Sequence, residues 1–252
     1  MTMMGKLYLV SIGPGALDMI SPRASEALKK CAIIIGHKLY LELISPLIQE
    51  KEKISTPWGG EIERVDMAIQ KAQEGNNVSL ISSGDIGVYG LGGLAIERLE
   101  KADLEIEYEI IPGITAANAC AAILGAPLSH DFLTLSLSDL LVPREIILKR
   151  AESAGAGGFV SVLYNVQSSK RKDLIYEVLN KFKPHRPLKT PCGIVSNAFR
   201  SDEKSSIVLF EELFSIQFDM LTTLIVGNDA TQIIRNRLVT ERGYSAKNIS
   251  GE

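Results

Sequence analysis

Short apolar runs that stop at glycine, serine or proline recur along this chain, and polar stretches with apolar residues at helical spacing separate them. Residues 7–12, 32–35, 78–82 and 105–111 read as strands, the first three as apolar runs bounded by turn residues. Ser21-Pro22 reads as an N-cap followed by proline in the first turn, opening a helix that carries Ala24, Ala27 and Leu28 on one face. Residues 61–74 form a second helical stretch that ends at Gly75. Alternating strands and helices predict an α/β fold with a mostly parallel sheet.

Residues 115–124 predict a helix of small residues, which Gly125-Ala126-Pro127 stops before a new pattern begins at Phe132. A boundary there gives an N-terminal α/β domain over 5–128 and a C-terminal α/β domain over 129–244. The second half repeats the rhythm with strands over 132–138, 159–163 and 193–196 and helices from 143 to about 152 and over 169–182. Strands over 207–210 and 221–226, with only a short segment between them, point to an antiparallel portion in a mixed sheet. The tail over 245–252 is expected to be disordered.

Glycine-centred turns follow the apolar strands. They are Gly13-Pro14-Gly15, the run from Ser82 to Gly90 around Ser83-Gly84-Asp85, and Pro112-Gly113-Ile114-Thr115-Ala116. In an open α/β sheet, ligands sit at the carboxyl ends of the strands, where glycine lets the backbone come close. Gly13-Pro14-Gly15 is not a dinucleotide fingerprint, because the third glycine is missing and Pro14 has no N–H for a phosphate. Asp85 reads either as part of a chemical loop or as a cap for the next helix. In the second half, Leu163-Tyr164-Asn165, Ser196-Asn197-Ala198 and Thr222-Thr223 put small amide or hydroxyl groups at strand ends. These suit an adenine or a ribose better than a triphosphate.

Composition narrows the function classes. With 46% apolar residues and a formal charge of -3, the chain is globular and lacks the clustered basic charge of a general nucleic-acid binder. The apolar run after Lys6 is too short for a signal peptide or a membrane span, which places the expected location in the cytoplasm, with no membrane partner. Cys31, Cys120 and Cys192 are widely spaced and read as buried free thiols. The histidines are scattered as well, so no protein-bound metal is expected.

Together these motifs resemble the tetrapyrrole methylase family over about residues 5–244. Within it, the segments SSGDIGVYG, PGITAANACAAILGAPLSHDF, LSLSDLLVPREII, VLYNVQSSKR and TTLIVGN look most like the branch that methylates carbon 17 of precorrin-3B or cobalt-factor III and contracts the ring, a step of cobalamin biosynthesis. Many members have proline after the loop aspartate, where this chain has Ile86. The resemblance implies two α/β domains with a ligand trough between them, a homodimer, S-adenosylmethionine as methyl donor with S-adenosylhomocysteine as product, and a tetrapyrrole substrate. Carried over by motif, it implicates Pro14, Gly84, Asp85, Val88, Thr115, Ala116, Leu163, Tyr164, Asn197, Ala198 and Thr223 in binding the methyl donor.

Methylating an electron-rich pyrrole-derived carbon needs no covalent enzyme intermediate, so the lack of a Ser-His-Asp set is no obstacle. Ring contraction moves protons, and His130, Asp131 and Asp85 are the candidate acid or base groups. Ser138, Asp139, Arg144 and Arg171 are candidates for the substrate, the arginines because its carboxylates need cations. The alternatives are a corrin methylase acting at another ring carbon, a methylase of RNA or protein, and a regulatory module that binds a nucleotide without turnover.

Overall fold

The structure is a computed structural model that describes residues 4–244. The tail read over 245–252 lies outside the described residues. The chain forms two compact units, one ending at Ala116 and the next beginning at Ala117.

The first unit alternates strands and helices: β1 (Leu7–Ser11), α1 (Pro22–Lys30), β2 (Ile33–His37), α2 (Lys38–Leu43), β3 (Glu52–Thr56), α3 (Glu61–Gln73), β4 (Val78–Ser82), α4 (Gly92–Lys101) and β5 (Tyr108–Ile111). Its five strands are all parallel, in the order β3-β2-β4-β1-β5. Every residue of β1, β2 and β4 is buried, as helices on both faces of a parallel sheet require. Successive side chains go to opposite faces. Leu7, Leu9, Ile33, Ile35 and Leu80 pack with Val65, Ala68 and Ala95 of α3 and α4, while Tyr8, Val10, Ile34 and Ile81 pack with Ala24 and Leu28 of α1. The predicted cap is present, with the Ser21 hydroxyl accepting from the Ala24 N–H at 3.2 Å.

The second unit contains all but the first residue of α5 (Ala116–Leu124), then β6 (Gly125–Ala126), β7 (Phe132–Ser136), α6 (Arg144–Ala156), β8 (Val160–Tyr164), α7 (Leu174–Phe182), β9 (Pro191–Ser196), β10 (Lys204–Leu209), β11 (Thr222–Val226), β12 (Thr231–Ile234) and β13 (Arg237–Thr240). Its main sheet, in the order β10-β9-β11-β8-β7, is mixed, with β7 and β8 parallel and the other pairs antiparallel. A small sheet joins β12, β13 and β6. The sequence boundary at 128/129 keeps α5 in the first domain, whereas the division into units falls before Ala117. Ala117, Cys120, Ala121 and Leu124 of α5 pack on Val160, Val162, Val195 and Ile225 of the second unit.

The helix read from 169 begins only at Leu174. Its expected first turn is a tight loop, in which the Ser168 hydroxyl accepts from the Arg171 N–H and the buried Arg171 guanidinium donates to backbone carbonyls. Arg186 is also buried and unreadable from the sequence pattern. It donates to the carbonyls of Gly227, Gly155, His185 and Phe159 at 2.7–3.0 Å and so ties four segments of the unit together.

Candidate ligand site

In the first unit the chain runs from β1 towards β2 on one side and from β4 to β5 on the other, so the adjacent strands β1 and β4 form the switch point of the sheet. The two loops that leave it are joined. Gly13 and Gly84 form an isolated antiparallel bridge, with the Gly84 N–H donating to the Gly13 carbonyl at 2.7 Å and the Gly13 N–H donating back at 3.1 Å. Gly13 has φ +70°, a conformation side chains rarely adopt, and a Cβ there would lie 2.9 Å from the Met19 carbonyl oxygen.

The third loop is fastened to this pair. A Cβ on Gly113 would lie 2.6 Å from the Gly84 carbonyl oxygen, so only glycine allows the approach. Asp85 supplies the fastening. One carboxylate oxygen accepts from the Gly87 N–H at 2.8 Å and the other from the Gly113 N–H at 2.9 Å. The Ser11 hydroxyl at the end of β1 accepts from the Ile86 N–H at 2.8 Å, a role that a hydroxyl ending an apolar run could have signalled. Of the candidates here, Pro14 and Gly84 are buried, while Asp85, Val88, Thr115 and Ala116 are half-buried. Asp85 is held by backbone donors of its own unit. It does not cap α4, whose N-cap is Leu91.

In the second unit, strand register sorts the remaining candidates. Ser136 pairs with Tyr164, Leu163 with Leu224, and Thr222 with Ser196, which sets Ser136, Tyr164, Asn165, Asn197 and Thr223 along one edge of the sheet. Asn165 and Asn197 adopt φ +53° and +54°, a conformation asparagine tolerates. The Asn165 amide donates to the Ser136 hydroxyl, and the Asn197 amide to the Asp202 carboxylate. The Tyr164 hydroxyl accepts from the Ala117 N–H at 2.7 Å. Leu163 is fully buried among the core side chains, and Thr223 is buried beside Cys120, whose thiol burial pushes up to about 11 against the opposing Thr223 hydrogen bond. Ala198 is half-buried against the same cluster as α5.

Asp139 and Arg171 also belong to this edge, because the Arg171 guanidinium donates to the Asn165 carbonyl at 2.6 Å and lies 3.3 Å from the Asp139 carboxylate. Burial draws the Arg171 pKa down, against the charge of Asp139. Ser138 is half-buried, and its N–H donates to the Ser136 hydroxyl. Arg144 opens α6 and makes a two-pronged ion pair with Glu177, which raises its own pKa and lowers that of Glu177. His130 and Asp131 precede β7, at the opposite edge from Ser136, about 16 Å away at the usual rise per strand residue. There the His130 Nδ1 accepts from the Asp131 N–H. The structure therefore does not bring them together with the other candidates of their unit.

A second group of residues at the carboxyl edge of the first sheet escaped the sequence reading. His37 ends β2, and Trp58 follows β3 by two residues; their rings stack with centroids 3.8 Å apart, and Tyr40 meets both edge-on. Arg64, 3% exposed, donates to the Thr56 hydroxyl and to the Thr56 and Pro57 carbonyls, holding the loop that carries Trp58. His37 and Tyr40 precede Trp58 by 21 and 18 positions, and the parallel register of β2 and β3 brings the two segments together. A groove of about 580 Å³ along α3, lined by Gly59, Gly60, Ile62, Glu63, Asp66, Met67 and Gln70, includes none of the glycine-loop candidates, and its carboxylates suit an anionic substrate poorly. Among the described residues, no cluster of His, Cys, Asp or Glu could hold a metal ion, and no helix is long and apolar enough to cross a membrane.

A parallel sheet with bridged glycine loops at its switch point, and a mixed sheet with asparagine and hydroxyl groups along one edge, define an α/β protein built to bind a small molecule at its strand ends. The chain belongs to the tetrapyrrole (corrin/porphyrin) methylase family, whose model matches residues 6–213. A "Cobalt-factor III methyltransferase" of Priestia megaterium is 41% identical over 97% of this chain, which spans 46% of that protein. A "Probable cobalt-factor III C(17)-methyltransferase" of Salmonella typhimurium is 40% identical over 95% of this chain and 99% of its own length. The crystal structure of the methyltransferase CobJ superposes with a TM-score of 0.89 at 32% identity, covering 94% of this chain and 100% of that one.

Proposed function

We propose that this protein transfers a methyl group from S-adenosylmethionine to carbon 17 of cobalt-factor III, with contraction of the macrocycle, in cobalamin biosynthesis. The observation that carries the reading is the 40% identity to the Salmonella protein across nearly the whole of both chains. The bridged glycine loops support it, since they present main-chain groups rather than charged side chains at the switch point.

The residues present fit S-adenosylmethionine, a cation that carries a sugar, a base and an amino acid group. Buried Pro14 and Gly84 and half-buried Asp85, Val88, Thr115 and Ala116 suit close backbone contact, with main-chain N–H groups at all of them but Pro14, and no lysine stands among them to repel a sulfonium. Tyr164, Asn197, Ala198 and Thr223 are proposed to add contacts from the second unit, with Leu163 contributing through its main chain. When bound, the methyl donor supplies an electrophilic methyl on a positively charged sulfur. The chain's task is then positioning. With the donor bound, these residues would hold it and the nucleophilic carbon close together, a role that needs no enzyme nucleophile. Asp85 serves by fixing the shape of two of the three loops at once. The family resemblance further supports a homodimer.

Incubation without oxygen with methyl-labelled S-adenosylmethionine and either cobalt-factor III or metal-free precorrin-3B, followed by NMR of the product, tests the reading. Label at carbon 17 of a contracted ring derived from cobalt-factor III is expected. Label from precorrin-3B alone would overturn the cobalt substrate, and label at another carbon would overturn the position.

A further inference from the structure

We infer that Trp58, backed by His37 and Tyr40, is a substrate-positioning platform that stacks on the conjugated face of the tetrapyrrole. The inference rests on the proposed function and adds to it a residue that recognises the substrate. Trp58 is the chain's single tryptophan, and it is 56% exposed although His37 already covers part of it. An indole left this exposed contributes little to folding, because the apolar effect scales with area removed from water. The protein nevertheless fixes it in place.

The Trp58 loop is closed by the Gly60 N–H donating to the Pro57 carbonyl and by the Gly59 N–H donating to the Glu61 carboxylate at 3.1 Å. Beneath it, three of the hydrogen bonds that the buried Arg64 makes end on Thr56 and Pro57. Burying a guanidinium is costly, as the downward shift of its pKa by desolvation reflects. Here that cost goes into pre-organising an exposed aromatic ring, which is the arrangement of a recognition surface rather than of a core.

Location supports the same occupant. His37 pairs with Thr56 across β2 and β3, and β2, β4 and β1 run in parallel register up to Ser82 and Ser11, so the platform stands at the same edge as the glycine loops. β3 is two strands from β4, roughly 10 Å at ordinary strand spacing. A flat substrate of several rings can span that distance while one of its carbons is held near the glycine loops.

The test compares wild type, Trp58→Ala and Trp58→Phe for equilibrium binding of cobalt-factor III, calorimetric binding of S-adenosylmethionine, and steady-state methyl transfer. Removing the ring is expected to weaken cobalt-factor III binding about tenfold, the size of an aromatic contact. KM should rise by a similar factor with kcat changed less, Phe should recover most of the loss, and affinity for S-adenosylmethionine should stay within twofold. Tetrapyrrole affinity unchanged in Trp58→Ala, with methyl transfer intact in wild type, would overturn the platform alone. Equal loss of both ligands in Trp58→Ala and Trp58→Phe would mark Trp58 as structural and also overturn it. A wild type that binds S-adenosylmethionine but neither binds nor methylates cobalt-factor III would overturn the proposed function together with the platform.

Discussion

At the scale of single residues, the side chains that look most chemical in the sequence are largely occupied with their own backbone. Asp85 looks like a free loop carboxylate, yet both of its oxygens accept from main-chain N–H groups, and one bond links the loop after β4 to the loop after β5. Hydrogen bonds to a charged acceptor are stronger than neutral ones, and both donors are only partly shielded from water. Asp85→Ala is therefore expected to lower stability by about 1–2 kcal/mol in urea titration. It should also weaken S-adenosylmethionine about tenfold in calorimetry, through loop disorder rather than a lost contact. Asp85→Asn keeps one acceptor and sets an amide NH2 against a backbone donor, so it should recover only part of either loss. Wild-type stability in Asp85→Ala would show that the loops hold their shape without it.

Element by element, the strands that were legible are those buried on both faces. β1, β2 and β4 stand out because helices cover both sides of the sheet and their interiors are almost wholly apolar, with the buried Ser79 bonded to the Cys31 sulfur. β3, with the sequence Glu-Lys-Ile-Ser-Thr, lies at the sheet edge with most of its residues exposed, and it offers no such run. The hairpin β12–β13 was missed for another reason. Its turn residues, Arg235 and Asn236, have φ +48° and +61°, the left-handed pair of a two-residue hairpin turn, whereas the recognisable signal is Asn-Gly. The glycine loops were legible because close approach and left-handed φ demand glycine. Which hydrogen bonds Asp85, Arg144 and Arg171 already make, and that Trp58 meets His37, depends on register and was not. The hairpin is anchored by Leu238, fully buried in the second unit's core, so its turn should report in global unfolding. Arg235→Asn with Asn236→Gly is expected to raise stability by about 1 kcal/mol, and Asn236→Val to lower it by about 1–2 kcal/mol, both measured by urea titration.

For the whole molecule, a few buried titratable groups set the pH range over which the fold is most stable. His37 is held below its ordinary value of 6.5, first by burial and then by the charge of Arg64, with Glu61 and Glu42 opposing. Its Nδ1 also accepts from the Leu39 N–H at the start of α2, a bond that a proton on that nitrogen would abolish. As pH falls below 6.5 the unfolded chain takes up a proton that the folded chain refuses, so stability is lost towards acid. The thiols act at the other end. Burial raises Cys120 from 9.0 to about 11 and Cys192 from 9.0 to about 12. Above pH 9 the unfolded chain releases protons that the folded chain keeps, and stability falls again. The exposed pairs Lys71–Glu74 and Arg144–Glu177 lower their glutamates from 4.5, so what they add is lost only below that pH, beyond the limb that His37 sets, and contacts this open to solvent contribute little. Urea midpoints measured from about pH 5 to about pH 11 should therefore show a plateau between 6.5 and 9, each limb approaching about 1.4 kcal/mol per pH unit for every proton exchanged. His37→Asn, which keeps a side-chain acceptor for Leu39, should flatten the acid limb, and Cys120→Ala should make the alkaline limb shallower. Each variant changes one limb and leaves the other, so a wild-type slope on the limb it targets would mean that its group does not set that edge of the range.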